Sequence, residues 1–169
     1  MKVNKLALVV VCLLSFDVLA NQRATDFRAR DFITKEKIQL SHLEGNVVAI
    51  SFWATWCKPC IKELNYFKKI ALKNKKFKVI AVATDGPETS AQIRGTVRKN
   101  KWSPVINVIH NRSGNLTSVY NPTGIVPFVS LIDRCGNLVY SSQGFSQGDG
   151  KKYKSKVESL SNNQCKESK

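Results

Sequence analysis

The order of hydrophobic and polar positions predicts strands and helices that alternate along most of the chain. Residues 47–53 (VVAISFW) form a nearly continuous apolar, β-branched run, which is typical of a strand buried on both faces. The next segment carries apolar side chains at helical spacing with lysines between them, at Leu64, Phe67 and Ile70. Residues 77–84 (FKVIAVAT) then predict a second buried strand, which completes a β-α-β unit.

A second helix is predicted directly after this unit. Asp85 precedes Gly-Pro, and we interpret it as a turn-forming residue without a functional role. Thr89 or Ser90 can cap a helix in which Ile93 and Val97 lie four residues apart on one face.

The C-terminal part of the chain predicts a hairpin and a last helix. Residues 105–109 can form a short strand, and residues 126–132 a strand that starts with a proline, where the missing N–H is tolerated. After a polar turn, residues 138–140 form the return strand. A lysine-rich helix with apolar positions at Tyr153 and Val157 ends the pattern. The order β-α-β-α-β-β-α predicts a single α/β domain, a mixed central sheet flanked by helices.

The N-terminus departs from this pattern. Lys2 and Lys5 precede an apolar run at residues 6–16, which small or modest side chains follow. This order is typical of a secretory signal peptide, and the run is shorter than the about 20 apolar residues that span a bilayer. We expect residues 1–20 to be removed and residues 21–169 to form an exported, periplasmic domain that is soluble after cleavage. An uncleaved membrane anchor is the alternative.

Composition and charge narrow the classes of function. A length of 169 residues with 43% hydrophobic residues fits one globular domain with a sizeable core. The net charge is +15, yet the lysines are scattered over predicted helix faces without the interleaved aromatic residues of a single-strand binder. Nucleic acid is therefore not an expected partner, and attraction to anionic membrane surfaces or acidic proteins is the expected consequence of the charge.

The candidate chemistry lies in the sequence WATWCKPC (residues 53–60), between the first predicted strand and its helix. Cys57 and Cys60 could hold zinc, anchor haem, form a structural bridge or transfer electrons. Haem attachment needs a histidine after the second cysteine, where this chain has Ile61. A zinc site needs two further ligands, usually a second close pair, which this sequence does not offer, so we expect no metal and no cofactor. The remaining candidate ligands, all far apart in sequence, are Cys135, Cys165, His42 and His110.

Disulfide exchange fits the physical chemistry of this position. The free N–H groups and the dipole of a helix N-terminus stabilise an anion, which favours a thiolate at Cys57. The spacing places Cys60 one turn further on, where it can resolve a mixed disulfide, and Pro59 fits the first helical turn. Peroxidase chemistry is disfavoured because Ile50 and Ala54 stand where a peroxidatic cysteine would be preceded by Pro and by Thr or Ser.

The order of elements, with a CxxC opening the first helix and an X-Pro before the hairpin, resembles the thioredoxin superfamily. The resemblance is closest to the TlpA/ResA-like branch of exported thiol–disulfide oxidoreductases. It rests on FWATWCKPCIKE (residues 52–63), on GIVPFVSLIDRCGNLVY (124–140) and on the lead-in IQLSHLEGN (38–46). It covers roughly residues 27–160 and implies a thioredoxin-like fold and a protein-disulfide reductase.

The resemblance also implies roles for individual residues. Cys57 is expected to be the exposed attacking thiol and Cys60 the buried resolving thiol. Pro127 matches the superfamily's cis-proline, and the backbone of Val126 would hold the substrate strand; an ordinary trans proline is the alternative. Glu63 follows Cys60 on the same helix face and matches an acid that tunes or relays the Cys60 proton, with a solvated carboxylate as the alternative.

Four further residues modify this picture. Trp56 is expected to flank the disulfide as a contact surface, although it could simply pack. Ser51 stands where thioredoxins proper carry a buried acid, which makes Glu63 the default proton acceptor. Lys58 should favour the thiolate of the neighbouring cysteine and shift the pair slightly toward an oxidant. A charge effect on Cys60 could alternatively come from Lys62, which lies nearby in the sequence.

The resemblance predicts a second, structural disulfide between Cys135 and Cys165. In the resembled fold, the turn that holds Cys135 and the exit of the last helix lie together at the end opposite the active site. Closing a loop of about 30 residues should stabilise the fold by roughly 3–4 kcal/mol through the unfolded state. The alternative is two unpaired thiols, with Cys165 in a frayed, polar tail.

These expectations describe an exported oxidoreductase that reduces the disulfides of other exported proteins, with apocytochrome c among the targets that the resemblance suggests. A reducing member of the branch would take electrons from a membrane transporter of the CcdA type, and we expect a monomer. Two rivals stay open: a disulfide oxidant or isomerase, and a non-catalytic thioredoxin-fold binding module with an inert CxxC bridge.

Overall fold

The predicted alternation of strands and helices is present in the structure, a computed structural model that describes residues 22–165. The predicted signal peptide, residues 1–20, lies outside the described residues. The elements in chain order are β1 (Gln22–Arg23), β2 (Arg28–Arg30), β3 (Lys37–Gln39), β4 (Val47–Trp53), α1 (Lys58–Lys73), β5 (Phe77–Ala83), α2 (Ser90–Asn100), β6 (Ile106–His110), α3 (Asn115–Tyr120), β7 (Phe128–Ile132), β8 (Asn137–Gln143) and α4 (Asp149–Asn162). Within residues 22–165, no helix is long and apolar enough to cross a membrane.

Six of the strands form one mixed sheet in the order β1-β8-β7-β4-β5-β6. Strands β4, β5 and β6 are parallel, whereas β7 is antiparallel to both β4 and β8. The central strand β4 is buried along its whole length, as its continuous apolar run predicted. Strands β2 and β3 form a separate antiparallel hairpin. The predicted class, a mixed central sheet flanked by helices, is confirmed.

The two faces of the sheet are covered by different elements. Because successive side chains of a strand point to opposite faces, Val47 and Ala49 pack in one apolar cluster with α1, α2 and α4. Val48 and Ile50 pack in a second cluster with α3 and the β2–β3 hairpin. The same alternation turns Ser51 toward α1 and α4, the side on which the helix that starts at the CxxC motif lies.

Several local expectations differ from the structure. The sequence did not predict β1, the β2–β3 hairpin or α3, and the return strand β8 is longer than residues 138–140. Thr89 is the N-cap residue of α2, one of the two positions predicted, but its side chain makes no capping hydrogen bond. Thr89 Oγ1 donates to the Gly86 carbonyl and Ser90 Oγ to the Pro87 carbonyl instead. A short 3-10 turn over Pro87–Thr89 precedes α2 and engages both hydroxyls.

Candidate active site

Cys57 and Cys60 form a disulfide at the N-terminus of α1, with their Cα atoms 5.3 Å apart. Cys57 is the N-cap of the helix, and its Sγ accepts a hydrogen bond from the Cys60 N–H at 3.3 Å. Pro59 lies in the first turn, where the absence of an N–H costs no helical hydrogen bond. A backbone donor and the positive end of the helix dipole therefore face the Cys57 sulfur, and both favour a thiolate there after reduction.

Both cysteines are buried in this oxidised form, so the expectation of an exposed Cys57 is wrong for it. Cys57 is 3% exposed and Cys60 is fully buried. The cause is the tight connection between β4 and α1, in which the Cys57 N–H donates to the carbonyl of Ala54 at 3.0 Å and folds the cysteine back against the core. Cys57 is nevertheless the cysteine of the pair that keeps contact with solvent.

The residues that flank the disulfide face outward. Trp56 is 74% exposed, which excludes the alternative that it simply packs in the core. Lys58 and Lys62 are also exposed, so their charges lie in water near the start of α1. The two sequence neighbours of Cys57, Trp56 and Lys58, are thus both exposed to solvent.

Pro127 lies at the same end of the sheet and has a cis peptide bond with Val126. The β4–β7 register pairs Phe52 with Phe128, so Pro127 lies beside the end of β4 that leads to Cys57. The proline is buried, and its carbonyl accepts a hydrogen bond from the Gly144 N–H at 2.8 Å. The cis geometry that the resemblance implied is therefore present, at the end of the sheet that carries the disulfide.

Glu63 is fully buried, so the alternative of a solvated carboxylate is wrong. Ser51 Oγ donates a hydrogen bond to its Oε2 at 2.8 Å, and the Tyr153 hydroxyl donates to its Oε1 at 3.3 Å. Burial raises the pKa of Glu63 to about 7, although both hydrogen bonds lower it, and the charge of Asp149 raises it further. Glu63 can therefore exchange a proton near neutral pH, one helical turn after Cys60.

Tyr153 is a site residue that the sequence reasoning placed only on an apolar helix face. Its ring packs against Phe67 of α1 at a centroid distance of 5.0 Å, and it is 1% exposed. Burial and the neighbouring Glu63 carboxylate raise the pKa of Tyr153, so its hydroxyl keeps its proton and remains a donor. The feature of the sequence that could have identified Tyr153 is its hydroxyl group on a helix face that is otherwise apolar.

Asp85 does more than form a turn, which corrects the sequence interpretation. Its carboxylate, 8% exposed, accepts the Thr55 N–H at 3.0 Å and the Thr55 Oγ–H at 2.5 Å. Asp85 follows the carboxyl end of β5, so it anchors the loop that carries Trp56 and Cys57. His110 is the last residue of β6, and its Nε2 lies 3.1 Å from the Asp85 carbonyl oxygen.

The second disulfide joins Cys135 and Cys165, as the resemblance predicted. Their Cα atoms are 5.4 Å apart and the residues are separated by 30 positions. Arg134 donates to the Asn163 carbonyl at 3.0 Å, which adds a second link between the β7–β8 turn and the end of α4. Strand β7 runs from Pro127 toward this turn, so the bridge lies at the end of the sheet opposite Cys57.

Comparisons with known proteins cover most of this chain. Residues 20–141 match the AhpC/TSA family. The chain is similar to thiol-disulfide oxidoreductase ResA of Bacillus thuringiensis subsp. konkukian, with 30% identity over 125 residues that cover 73% of this chain and 69% of the relative. It is also similar to ResA of Bacillus anthracis, with 33% identity over 118 residues, 70% of this chain and 66% of the relative.

Solved structures extend the comparison at the level of the fold. The structure is similar to that of a thiol:disulfide interchange protein of the thioredoxin family from Chlorobium tepidum, with a TM-score of 0.71 over 83% of this chain and 97% of the other. The sequence identity of that pair is 18%, so this likeness concerns the fold alone.

Proposed function

Because this chain belongs to the AhpC/TSA family and is a ResA-like thiol–disulfide oxidoreductase, we propose that it is exported and reduces the disulfides of other exported proteins. The observation that carries the proposal is the Cys57–Cys60 disulfide at the N-terminus of α1, with a buried carboxyl group one turn further along the helix. A helix N-terminus favours the attacking thiolate, and a proton acceptor near pH 7 can take the proton of the second thiol, so both groups assist disulfide exchange.

The reaction starts from the reduced dithiol. The Cys57 thiolate attacks one sulfur of a client disulfide, a mixed disulfide forms, and the other client sulfur leaves as a thiolate that takes a proton from water. Cys60 then loses its proton and attacks Cys57 Sγ, which releases the second client thiolate. The client gains two electrons, and the enzyme ends as the Cys57–Cys60 disulfide that the structure contains.

Glu63 is the proposed acceptor of the Cys60 proton. Because its pKa is about 7, Glu63 can both accept and release a proton at neutral pH. Ser51 occupies the strand position where thioredoxins proper have an acid, and its hydroxyl donates a hydrogen bond to Glu63. The carboxylate therefore reaches the buried site from α1 rather than from β4.

The direction of electron flow is proposed to be reduction. The charge of Lys58 would favour the opposite direction, but a surface charge effect of about 0.3–1 kcal/mol corresponds to only roughly 6–20 mV for a two-electron couple. The ResA name of the relatives supports an oxidoreductase without fixing its client proteins. A peroxidase is not proposed, since Ile50 and Ala54 occupy the positions at which that chemistry needs other residues.

Export is proposed from two independent observations. Residues 1–20 have the order of a signal peptide. The Cys135–Cys165 disulfide joins residues far from the active site, and a structural bridge of this kind persists in an oxidising compartment.

We further propose that clients dock beside Trp56 and the backbone of Val126, and that a membrane donor of the CcdA type returns the oxidised pair to the dithiol.

The proposal is tested by insulin reduction with dithiothreitol as electron donor, followed by precipitation of the insulin B chain. Wild-type protein should accelerate the reaction, and Cys57→Ser should abolish the acceleration. In cells, Cys60→Ser should accumulate mixed disulfides with client proteins on non-reducing gels, whereas Cys57→Ser should accumulate few. No acceleration by the wild-type protein would indicate an inert bridge, and equal trapping by the two variants would contradict the assigned roles.

A further inference from the structure

The buried carboxylate of Glu63 receives one hydroxyl hydrogen bond on each oxygen, from two different elements. Ser51 of β4 donates to Oε2 at 2.8 Å, and Tyr153 of α4 donates to Oε1 at 3.3 Å. Ser51 and Glu63 are fully buried, and Tyr153 is 1% exposed. Rotation of the carboxylate about its terminal torsion would break both bonds in a site that water does not reach. Its orientation is therefore set by β4 and α4, and not by α1 alone.

The position of the Tyr153 hydroxyl is fixed by the packing of its ring. The ring lies against Phe67, Phe145 and Tyr140, at centroid distances of 5.0, 6.2 and 6.3 Å. These neighbours come from α1, from the loop before α4 and from β8. A phenylalanine at position 153 would make the same ring contacts, so packing does not account for the hydroxyl. The hydroxyl is the part of the side chain that reaches Glu63.

The groups that face Glu63 act on its pKa in opposite directions. Burial has the largest effect and raises the pKa, and the charge of Asp149 at the start of α4 acts in the same direction. The hydroxyls of Ser51 and Tyr153 lower it, since they donate to the charged form. On its own helix, Glu63 follows Cys60 by one turn, and Cys60 has a thiol proton to give up only after the disulfide is reduced.

We propose that Ser51 and Tyr153 are positioning residues for the redox reaction: their hydroxyls hold the Glu63 carboxylate where it takes the proton of Cys60, and they set the pH range in which it does so. The inference rests on the proposed role of Glu63 as proton acceptor. In that step the proton moves from Cys60 Sγ to a carboxylate oxygen of Glu63. The sulfur keeps the electron pair of the broken S–H bond and uses it to attack Cys57 Sγ.

The test compares Tyr153→Phe and Ser51→Ala with the wild-type protein by two measurements. The first is the titration of the Glu63 side-chain carboxyl carbon by NMR in the oxidised protein. The second is the pH dependence of insulin reduction by the pre-reduced protein. Each variant should move both midpoints upward by about one pH unit, because each removes a donor to the ionised carboxylate. In a Glu63→Gln background, neither substitution should change the pH profile of insulin reduction further.

Tyr140→Phe is the matched control, because it removes a hydroxyl from the same ring cluster without removing a donor to Glu63. It should leave both midpoints in place. A Tyr153→Phe or Ser51→Ala variant that melts at a lower temperature with unchanged midpoints would show a structural role only and would overturn the proposal. So would a shift that persists in the Glu63→Gln background. If the NMR midpoints move as expected but the wild-type protein does not reduce insulin, the reductase function fails while the positioning of Glu63 stands.

Discussion

At the scale of single residues, the environment of Glu63 couples the redox site to the stability of the protein. Its pKa is raised from 4.5 to about 7 by burial, so the folded protein binds this proton more tightly than the unfolded chain does. The stability that protonation contributes is fully present below pH 4.5 and is lost as the pH rises through about 7. A raised pKa of this kind is typical of a group kept for function rather than for stability.

Glu63→Gln should remove this dependence. Between pH 4.5 and about pH 7, the ionisation of Glu63 should lower the free energy of unfolding of the oxidised wild-type protein by about 3 kcal/mol. The variant should not show this loss. Denaturant unfolding at several pH values between 4.5 and 8 measures the difference. Glu158→Gln, which alters an exposed carboxylate of α4, is the matched control and should follow the wild-type curve. Parallel curves for wild type and Glu63→Gln would refute the raised pKa.

The residues that the sequence did and did not reveal differ in how far away their partners lie. Cys57 and Cys60 are identified by their own spacing at a predicted strand-to-helix junction. Tyr153 donates to a carboxylate 90 positions away, and Asp85 accepts from a residue 30 positions away. No local sequence pattern contains such a pairing, so we interpreted Tyr153 as an apolar helix position and Asp85 as a turn-forming residue.

At the scale of elements, the connection between β4 and α1 determines how the disulfide is presented. It places Cys57 at the N-cap, turns Trp56 outward, and is anchored by the Asp85 carboxylate on Thr55. The Asp85 carboxylate accepts from both the N–H and the hydroxyl of Thr55, so this contact ties the loop to the segment that follows β5.

Asp85→Ala should therefore loosen the active-site loop. We expect a loss of about 2–3 kcal/mol in the free energy of unfolding and a lower rate of insulin reduction, because two donors of Thr55 lose their acceptor. Glu88→Ala changes an exposed acid three positions later and should affect neither quantity. Denaturant unfolding and the turbidity assay measure both effects. A full reduction rate in Asp85→Ala would show that the loop does not depend on this anchor.

The elements with the clearest predictions are those whose sequence pattern is long. The apolar runs of β4 and β5 and the helical spacing of α1 each extend over seven residues or more. Strand β1 has two residues and α3 has six, which is too short for a periodicity to emerge from the background. The β2–β3 hairpin was missed for the same reason, since each strand contributes three residues.

At the scale of the whole molecule, the two disulfides lie at opposite ends of the sheet and have different tasks. The Cys57–Cys60 pair lies where β4 enters α1, and the Cys135–Cys165 bridge ties the end of α4 to the β7–β8 turn. Sequence alone allows several pairings of four cysteines, and the resemblance to a known topology selected this one. The bridge therefore stabilises the fold without touching the redox site.

A Cys135→Ser, Cys165→Ser double variant should separate the two tasks. The free energy of unfolding should fall by roughly 3–4 kcal/mol, because the unfolded chain is no longer closed into a loop. The rate of insulin reduction at 25 °C should stay at the wild-type value as long as the variant is folded. Unfolding in denaturant under non-reducing conditions gives the first quantity. A large loss of activity in a folded variant would show that the bridge shapes the active site.

The reduction potential of the Cys57–Cys60 pair tests the central claim, a dithiol that reduces other proteins, most directly. The double variant without Cys135 and Cys165 leaves a single couple within residues 21–169. This couple can be equilibrated with glutathione or dithiothreitol buffers at pH 7 and quantified by thiol labelling. We predict a potential close to that of thioredoxin, about −270 mV. A value of about −120 mV, as in a strong disulfide oxidant, would contradict this prediction and would assign the protein to disulfide formation.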